Sequence, residues 1–359
     1  MMMFISYVDF EDKRSGSTVR PQKMYDAFIK LGFEVFLVSG AQNNRMKRRE
    51  TVRKVLNRLE KFSPDFCYIE LPSGPIFHQI DRTLIRRLHR MGVPVAAFYR
   101  DAFYKFASWW QLSPPKRLAV RLLHAADNFV LSRCCDIVYF PSKTMAGLFS
   151  FPQKGVLPPA CEKRFLNPRE EPRTCIYVGG LSKRYGSDIL LFAFELLNRS
   201  GSYPLIIVCR EGEKKEIDEQ YLTKPWLTVA HATGEALERY YSRADIGLYC
   251  GRRDIYMDFA MPVKVFEYLS YGLPVVTTNC TEIAAFVQRY DVGVVVNDDA
   301  RAIASGVREL IAHPQTYKRF YNNAVAAVKR EHLWEHRAAQ VAADLAAVTG
   351  AVLETDDET

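Results

Sequence analysis

Short runs of β-branched and aromatic residues alternate along this chain with longer segments of helical period. That alternation leaves few options, because each extended run is apolar on both faces and needs helices above and below it. A parallel sheet built from βα units satisfies this, and here the units come in two series. The first has expected strands at 3–8, 34–38, 66–69, 95–98 and 137–140, with helices starting near Thr18, Asn44, Gly74, Pro115 and Ser142. Around 155–172 the pattern dissolves into KGVLPPACEKRFLNPREEP, which carries neither period and is expected to link two domains. CIYVGG then opens the second series, with strands at 175–178, 205–209, 227–230, 246–249 and 275–278 and helices from Ser187 and Gly234. The expectation is α/β: two facing doubly wound parallel-sheet domains with an interdomain cleft, covering 1–160 and 161–340. The segment 341–359 forms a closing helix and tail that crosses back to the first domain.

The 359 residues exceed what one ordinary core needs and suit two domains. Apolar residues make up 48% and charged ones 25%, which excludes a mainly disordered chain. No apolar run is long enough to span a bilayer, and the start lacks a basic leader. The eight cysteines are scattered, without CxxC or zinc-like spacing, so free buried thiols in a reducing cytoplasm are expected. Charge is uneven: residues 1–160 hold 25 Lys/Arg against 13 Asp/Glu, a net +12, while the remainder supplies −4 of the overall +8. A basic first half suits an anionic partner such as a membrane surface, a phosphorylated lipid or nucleic acid, or is simply a soluble surface. RMKRRE at 45–50 is its densest cluster.

In open parallel sheets, ligands lie beyond the carboxyl ends of the strands. After the first strand, SGST places Gly16 and Ser17 just before a helix, where free N–H groups attract anions; a plain helix cap reads equally well. Arg20 follows, either aiding an anion or solvated. After the first strand of the second series, Gly179 and Gly180 permit a tight turn, and Lys183 and Arg184 set two cations beside it, as a diphosphate requires. GxGxxG is absent, which gives little support to hydride transfer. In MPVKVFEYLSYGLPVV, Pro262 starts a helix on which Lys264, Glu267, Tyr268 and Tyr271 fall on one face. Glu267 can accept two hydrogen bonds from a ribose diol and Lys264 can offset phosphate charge; an exposed ion pair is the bland alternative. In the first half, PVAAFY ends in Arg100-Asp101, a cation and a carboxylate at the rim of a crevice or a cap for the next helix. Trp109-Trp110, with basic neighbours, suits a membrane interface or burial. His78, His89, His124, His231 and Asp298-Asp299 lack ligand-like spacing and are expected to pack or be solvated.

PVKVFEYLSYGLPVVTT, followed by TEIAAFV and DVGVVV, resembles the donor-binding core of GT-B glycosyltransferases, especially glycosyltransferase family 4 (group 1) and its bacterial polysaccharide relatives. YVGGLSKRYGSDILLFAFELL is similar to that family's glycine, basic, glycine loop, VLPPACEKRF to its interdomain turn, and HLWEHRAAQVAADL to its closing helix. The resemblance runs from about 156 to 345. It implies two Rossmann-like domains, acceptor-binding first and donor-binding second. It further implies a nucleotide-diphosphate sugar whose ribose meets Glu267 and whose diphosphate faces the loop at 179–186, with Gly179 and Gly180 and with Lys183, Arg184 and Lys264 supplying the positive charge. From the residues themselves, Gly16 and Ser17 are expected on the donor side, and Arg20 and Arg100 are candidates to meet the acceptor, a lipid-linked or polysaccharide glycan. If the reaction inverts the anomeric centre, Asp101 is placed as general base. Three positions depart from the family: Phe259 stands where its other glutamate does, with Asp258 beside it, Gly180 and Tyr185 replace its loop cations, and Met261-Pro262 replaces its phenylalanine-glycine turn. These leave the donor sugar and the anomeric outcome open.

No metal or other cofactor is expected, since folds of this kind stabilise the leaving diphosphate with positive side chains and helix termini. The expected place is the cytoplasm, peripheral at the inner face of the membrane. A nucleotide-sugar epimerase of the same fold is the alternative. A phosphorylase with a Schiff-base lysine calls for a longer chain, and a nucleic-acid binder finds no recognition motif.

Overall fold

The computed structural model describes residues 1–10, 18–106 and 112–350. The chain divides into two compact units, residues 1–158 with 334–359, and residues 159–333. Gly16, Ser17 and Trp109-Trp110 lie outside the described residues.

The first unit holds β1 (Met2–Ser6), α1 (Val19–Lys30), β2 (Val35–Val38), α2 (Arg45–Arg58), β3 (Cys67–Glu70), α3 (Gln79–Arg90), β4 (Val95–Phe98), α4 (Pro114–Cys134), β5 (Ile137–Phe140), α5 (Lys143–Gly147) and β6 (Lys154–Val156). Its six strands are all parallel, in the order β2-β1-β3-β4-β5-β6. Every residue of β1, β3, β4 and β5 is buried, the burial that helices on both faces produce. α2 begins where Asn44 accepts a hydrogen bond from the Lys47 amide at 3.3 Å, and α5 where Ser142 accepts from Met145 at 3.2 Å.

Three sequence expectations change here. α3 starts at Gln79 rather than near Gly74, because 71–78 is irregular, bends at Ser73-Gly74 and has its amides taken by outside partners: the Ile76 amide donates to Asp127 and the Phe77 amide to Gln42, both at 2.8 Å. The stretch 155–172 is not wholly linker, since β6 pairs with β5; Gly155 lies so close to Tyr139 that a Cβ there would fall 2.5 Å from the ring. The RMKRRE cluster is not entirely a surface feature. Arg48 is fully buried, 2.7 Å from Asp81, and donates to the Ser6 carbonyl at 2.8 Å. Such a buried pair is costly to break from one side, by about 3–5 kcal/mol.

The second unit holds β7 (Cys175–Val178), α6 (Ser187–Leu197), β8 (Leu205–Val208), α7 (Glu219–Leu222), β9 (Leu227–Ala230), α8 (Glu238–Tyr241), β10 (Ile246–Tyr249), α9 (Ile255–Phe259), α10 (Val263–Ser270), β11 (Val275–Thr278), α11 (Thr281–Tyr290), β12 (Gly293–Val296), α12 (Ala300–Ala312) and α13 (Pro314–Glu331). Its parallel order is β12-β11-β10-β7-β8-β9. The order reverses between β7 and β10, which is where such sheets open a crevice at their carboxyl ends. The last helix, α14 (Trp334–Thr349), belongs to the first unit and packs on α1. There Lys30 pairs with Glu335 at 3.1 Å, and Tyr139 donates to Asp344 at 2.6 Å.

Candidate functional site

At the reversal point of the second sheet, the loops after β7 and β10 meet the start of α10. Tyr268 sits across that junction. It is fully buried, accepts a hydrogen bond from the Val178 amide at 3.0 Å and donates to the Leu248 carbonyl at 3.1 Å, so one phenol ties the ends of β7 and β10. Gly247 makes room for the ring, since a Cβ there would lie 2.4 Å from it. The polar stripe expected on α10 is therefore narrower than its spacing suggested. Tyr268 turns into the sheet, and Tyr271, 3% exposed, stacks on Tyr241 with centroids 4.6 Å apart and planes 18° from parallel. Lys264 and Glu267 remain. Pro262 is the cap residue, with the helix beginning at Val263.

Glu267 is half-buried, and one of its oxygens is already held: the Tyr241 hydroxyl donates to Oε2 at 3.0 Å. Oε1 has no hydrogen-bond partner among the described residues. Burial pushes the carboxyl above its usual range, against the Tyr241 bond and the charges of Lys264 and Arg164. Arg164 is itself fixed, donating to the Tyr271 hydroxyl at 3.1 Å and to Glu162 at 2.7 Å. A ribose diol needs an acceptor of this kind, a carboxylate held from one side and open on the other.

Lys264 places its ammonium 4.2 Å from the centroid of the Tyr177 ring and 5.6 Å from that of Tyr185. No carboxylate of the described residues lies within salt-bridge distance of it. Gly179 has a left-handed φ of 135°, and a Cβ on it would come within 2.4 Å of Lys264 Nζ. The glycine is thus required by both backbone and lysine. Burial pulls the Lys264 pKa down to about 8, while Cys250, Glu267 and Glu213 act to raise it. Below that pH the ammonium is charged, and such a group can bind a phosphate oxygen.

The remaining predicted donor residues divide. Gly180 accepts from the Tyr177 hydroxyl at 2.6 Å through its carbonyl. Lys183 is exposed, whereas Arg184 faces Asp254 at 3.9 Å and Tyr256, 5.3 Å from its ring centroid. Gly186, left-handed at φ 68°, has the Cys250 carbonyl so near that a Cβ would approach it to 1.8 Å; this joins the β7 and β10 loops. Tyr241 and Arg164 went unnoticed in the sequence, whereas Gly186 is the second glycine of the loop read in GLSKRYGSD. The phenol and the arginine reach α10 from distant segments, so no local pattern announces them.

In the first unit, the reversal point lies between β1 and β3. Arg20 and Arg100 are brought together there by a residue that the sequence did not single out. Glu70, buried at the end of β3, lies 3.1 Å from Arg20 Nε and 3.6 Å from Arg100 Nη2, and accepts from the Tyr68 hydroxyl at 2.7 Å. Arg20 also lies over the Phe98 ring at 3.4 Å. Asp101 accepts from the Phe103 amide at 2.9 Å, opening the short 3₁₀ turn Phe103–Lys105. His124 packs, buried and stacked on Tyr104 at 3.7 Å, with burial lowering its pKa to about 4. Among the described residues, no three His, Cys, Asp or Glu side chains gather as metal ligands do. All eight cysteines are free.

Replacing Tyr241 with Phe removes the bond to Glu267 and leaves the stacking. A hydrogen bond to a charged group contributes about 1.5–3 kcal/mol, so affinity for any ligand that Glu267 holds should fall about tenfold or more. Titration calorimetry checks it; equal affinities would remove Tyr241 from the site.

Residues 172–313 match a family model described as "Glycosyl transferases group 1". No curated protein matches the sequence. Among solved structures, Alr3699/HepE of Anabaena in complex with UDP aligns with a TM-score of 0.66 and 14% identity, covering 96% of this chain and 99% of that one. A glycosyltransferase from Rickettsia africae aligns at 0.68 and 10% identity, over 97% and 98% of the two chains. WaaG, a glycosyltransferase involved in lipopolysaccharide biosynthesis, aligns at 0.62 and 15% identity, over 98% and 100%. Likeness at these identities concerns the fold.

Proposed function

We propose that this chain, a group 1 glycosyltransferase of GT-B architecture, draws its sugar from a nucleotide-diphosphate donor held by Glu267 and Lys264. One observation carries the reading. Among the described residues, Glu267 has one oxygen tied to Tyr241 and the other open, beside a lysine ammonium with no carboxylate in salt-bridge reach. The carboxylate receives the ribose diol, and the ammonium faces the diphosphate across Gly179. Lys183 and Arg184 add positive charge at the same loop. HepE is described in complex with UDP and with UDP-glucose, which favours uridine among the bases for this chain as well.

In transfer, an acceptor hydroxyl attacks the anomeric carbon as the bond to the diphosphate breaks, and negative charge grows on the leaving group. Fixed cations aimed at that charge lower the barrier without rearranging. Lys264 fills this role, so the reaction needs no metal. In an inverting course, the hydroxyl proton passes to Asp101, and Arg20 and Arg100 meet the acceptor; in a retaining one, Asp101 orients it. The acceptor is a lipid-linked or polysaccharide glycan in cell-surface synthesis; WaaG is described as involved in lipopolysaccharide biosynthesis. The place of work is the cytoplasmic face of a membrane, where a lipid-linked acceptor would be presented. No described helix is long and apolar enough to cross a membrane.

A thermal-shift panel with UDP, GDP, ADP and CMP tests the donor reading, since a ligand that binds only the folded state raises apparent stability by mass action. One nucleoside diphosphate should stabilise the protein well above the rest, and a flat panel refutes the proposal. Separately, Asp101→Asn should reduce transfer about 10²-fold or more and spare nucleotide binding; undiminished turnover removes Asp101 from the base role.

A further inference from the structure

The loop after β8, the strand that neighbours β7 in the second sheet, carries a carboxylate that the donor reading leaves unused. Glu213 lies in the 3₁₀ turn Glu211–Glu216. Its Oε1 would stand 3.6 Å from a Cβ on Gly180, the residue next to the glycine that seats Lys264. Oε2 is buried without a hydrogen-bond partner among the described residues. Oε1 has Arg210 at 3.8 Å, beyond hydrogen-bond distance and on a side chain 83% exposed. A carboxylate oxygen shut from water without a donor costs free energy, and a ligand that brings a donor removes the cost.

Three aspartates of the neighbouring loops and helix starts are engaged elsewhere. Asp188 pairs with Arg252 at 2.6 Å, and Asp254 accepts from the amides of Tyr256 and Met257 at 2.9 and 2.7 Å. Asp258 takes Arg253 at 3.1 Å together with the amide and hydroxyl of Thr281, both at 2.9 Å. It is therefore no substitute for the glutamate whose place Phe259 fills, and the Phe259 ring, buried against Tyr256, offers no acceptor.

Position then indicates which part of a donor Glu213 meets. A nucleotide sugar runs from base through ribose and diphosphate to sugar. In the proposed donor site Glu267 takes the ribose, and Lys264, three residues nearer the helix start and so about 4.5 Å along the axis, takes the diphosphate. Glu213 acts electrostatically on Lys264, whereas the charges that act on Glu267 are those of Lys264 and Arg164. That sets Glu213 at the diphosphate end of the run, where the transferred sugar begins.

We propose that Glu213 determines specificity for the sugar: its carboxylate accepts a hydrogen bond from a hydroxyl of a neutral hexose and repels hexoses that carry a carboxylate of their own. Acceptance and rejection come from the same charge. The proposal rests on the donor reading and extends it from nucleotide to sugar.

The test is titration calorimetry with UDP, UDP-glucose, UDP-galactose, UDP-N-acetylglucosamine and UDP-glucuronate on wild type, Glu213→Gln and Glu213→Ala. Neither variant removes a side-chain hydrogen bond among the described residues, so both should melt with wild type. Wild type should bind UDP-glucuronate about tenfold or more weakly than the best neutral sugar, the penalty for juxtaposed like charges. In either variant the affinity of that neutral sugar relative to UDP should fall about tenfold, as loss of a hydrogen bond to a charged group requires. The glucuronate gap should close, and UDP itself should bind no more weakly, since a negative charge near its phosphates is gone. A ratio of neutral sugar to UDP that is unchanged in both variants overturns the proposal, as does a wild type indifferent to the glucuronate charge. So does an equal loss of UDP and every UDP-sugar, which would make Glu213 a structural residue. In these three outcomes UDP still binds wild type and the donor reading stands. A wild type that binds no UDP overturns that reading and this inference with it.

Discussion

Glu267→Ala should abolish most nucleotide binding. In the proposed donor site the carboxylate accepts from two ribose hydroxyls, and hydrogen bonds to a charged group contribute about 1.5–3 kcal/mol each, so a weakening of about 10²-fold is expected. In a thermal assay this is a large effect. A ligand at a hundred times its Kd stabilises the fold by about 2.7 kcal/mol, and a hundredfold loss of affinity reduces that to about 0.4 kcal/mol at the same concentration. Glu267→Gln should fall between, since an amide can still accept through its oxygen but carries no charge. The acid side follows from the same chemistry. Burial raises the Glu267 pKa, so binding should weaken on acidification earlier than an ordinary glutamate would allow. A shift in Glu267→Ala equal to that of wild type would leave the ribose elsewhere.

Lys264→Met should cost turnover more than folding. Methionine keeps the stem packed and removes the cation seated against Gly179 and Tyr177. Losing one preorganised group that stabilises developing negative charge lowers rates by about 10²–10³, so kcat/KM should fall by that order. The pH dependence gives a sharper signature because its sign can be worked out. In the free protein the ammonium titrates near 8, lowered by burial. A bound diphosphate favours the charged form and raises that value, so nucleotide affinity is greatest below about 8 and declines as pH climbs above it. Stability of the free protein responds in the opposite sense. An unfolded lysine keeps its proton to about 10.4, so between these values the unfolded chain holds a proton that the folded one has shed. Raising the pH through this window relieves a desolvation penalty and adds stability. Lys264→Met should show neither trend, so matched profiles of affinity and melting temperature for the two proteins check the assignment.

Much of this architecture is legible in the sequence because parallel strands buried on both faces must be apolar throughout. Runs such as VAAF and IVYF, short and closely bounded, read as buried strands, and they coincide with β4 and β5. β6 escapes because it is three residues long, at the edge of its sheet, with a glycine fitted to Tyr139. The donor site is half legible for a similar reason. Lys264 and Glu267 share a helix, so their spacing places them together; Tyr241 and Arg164 reach Glu267 only through the fold. Tyr268 misleads because helical periodicity assigns a face without saying whether that face meets a ligand or the sheet. Likewise Arg20 and Arg100 look like independent surface cations, and become a pair only when β3 carries Glu70 between them.

The ribose contact is the centre of this account, and a thermodynamic cycle tests it most directly. Titration calorimetry would compare the nucleoside diphosphate that binds best with its 2′-deoxy form, on wild type and on Glu267→Ala. The deoxy ligand should bind wild type about tenfold or more weakly, and the two ligands should bind the variant alike, since the group that reads the hydroxyl is gone. If the deoxy ligand loses as much on the variant as on wild type, Glu267 does not hold the ribose and the donor site must be drawn elsewhere.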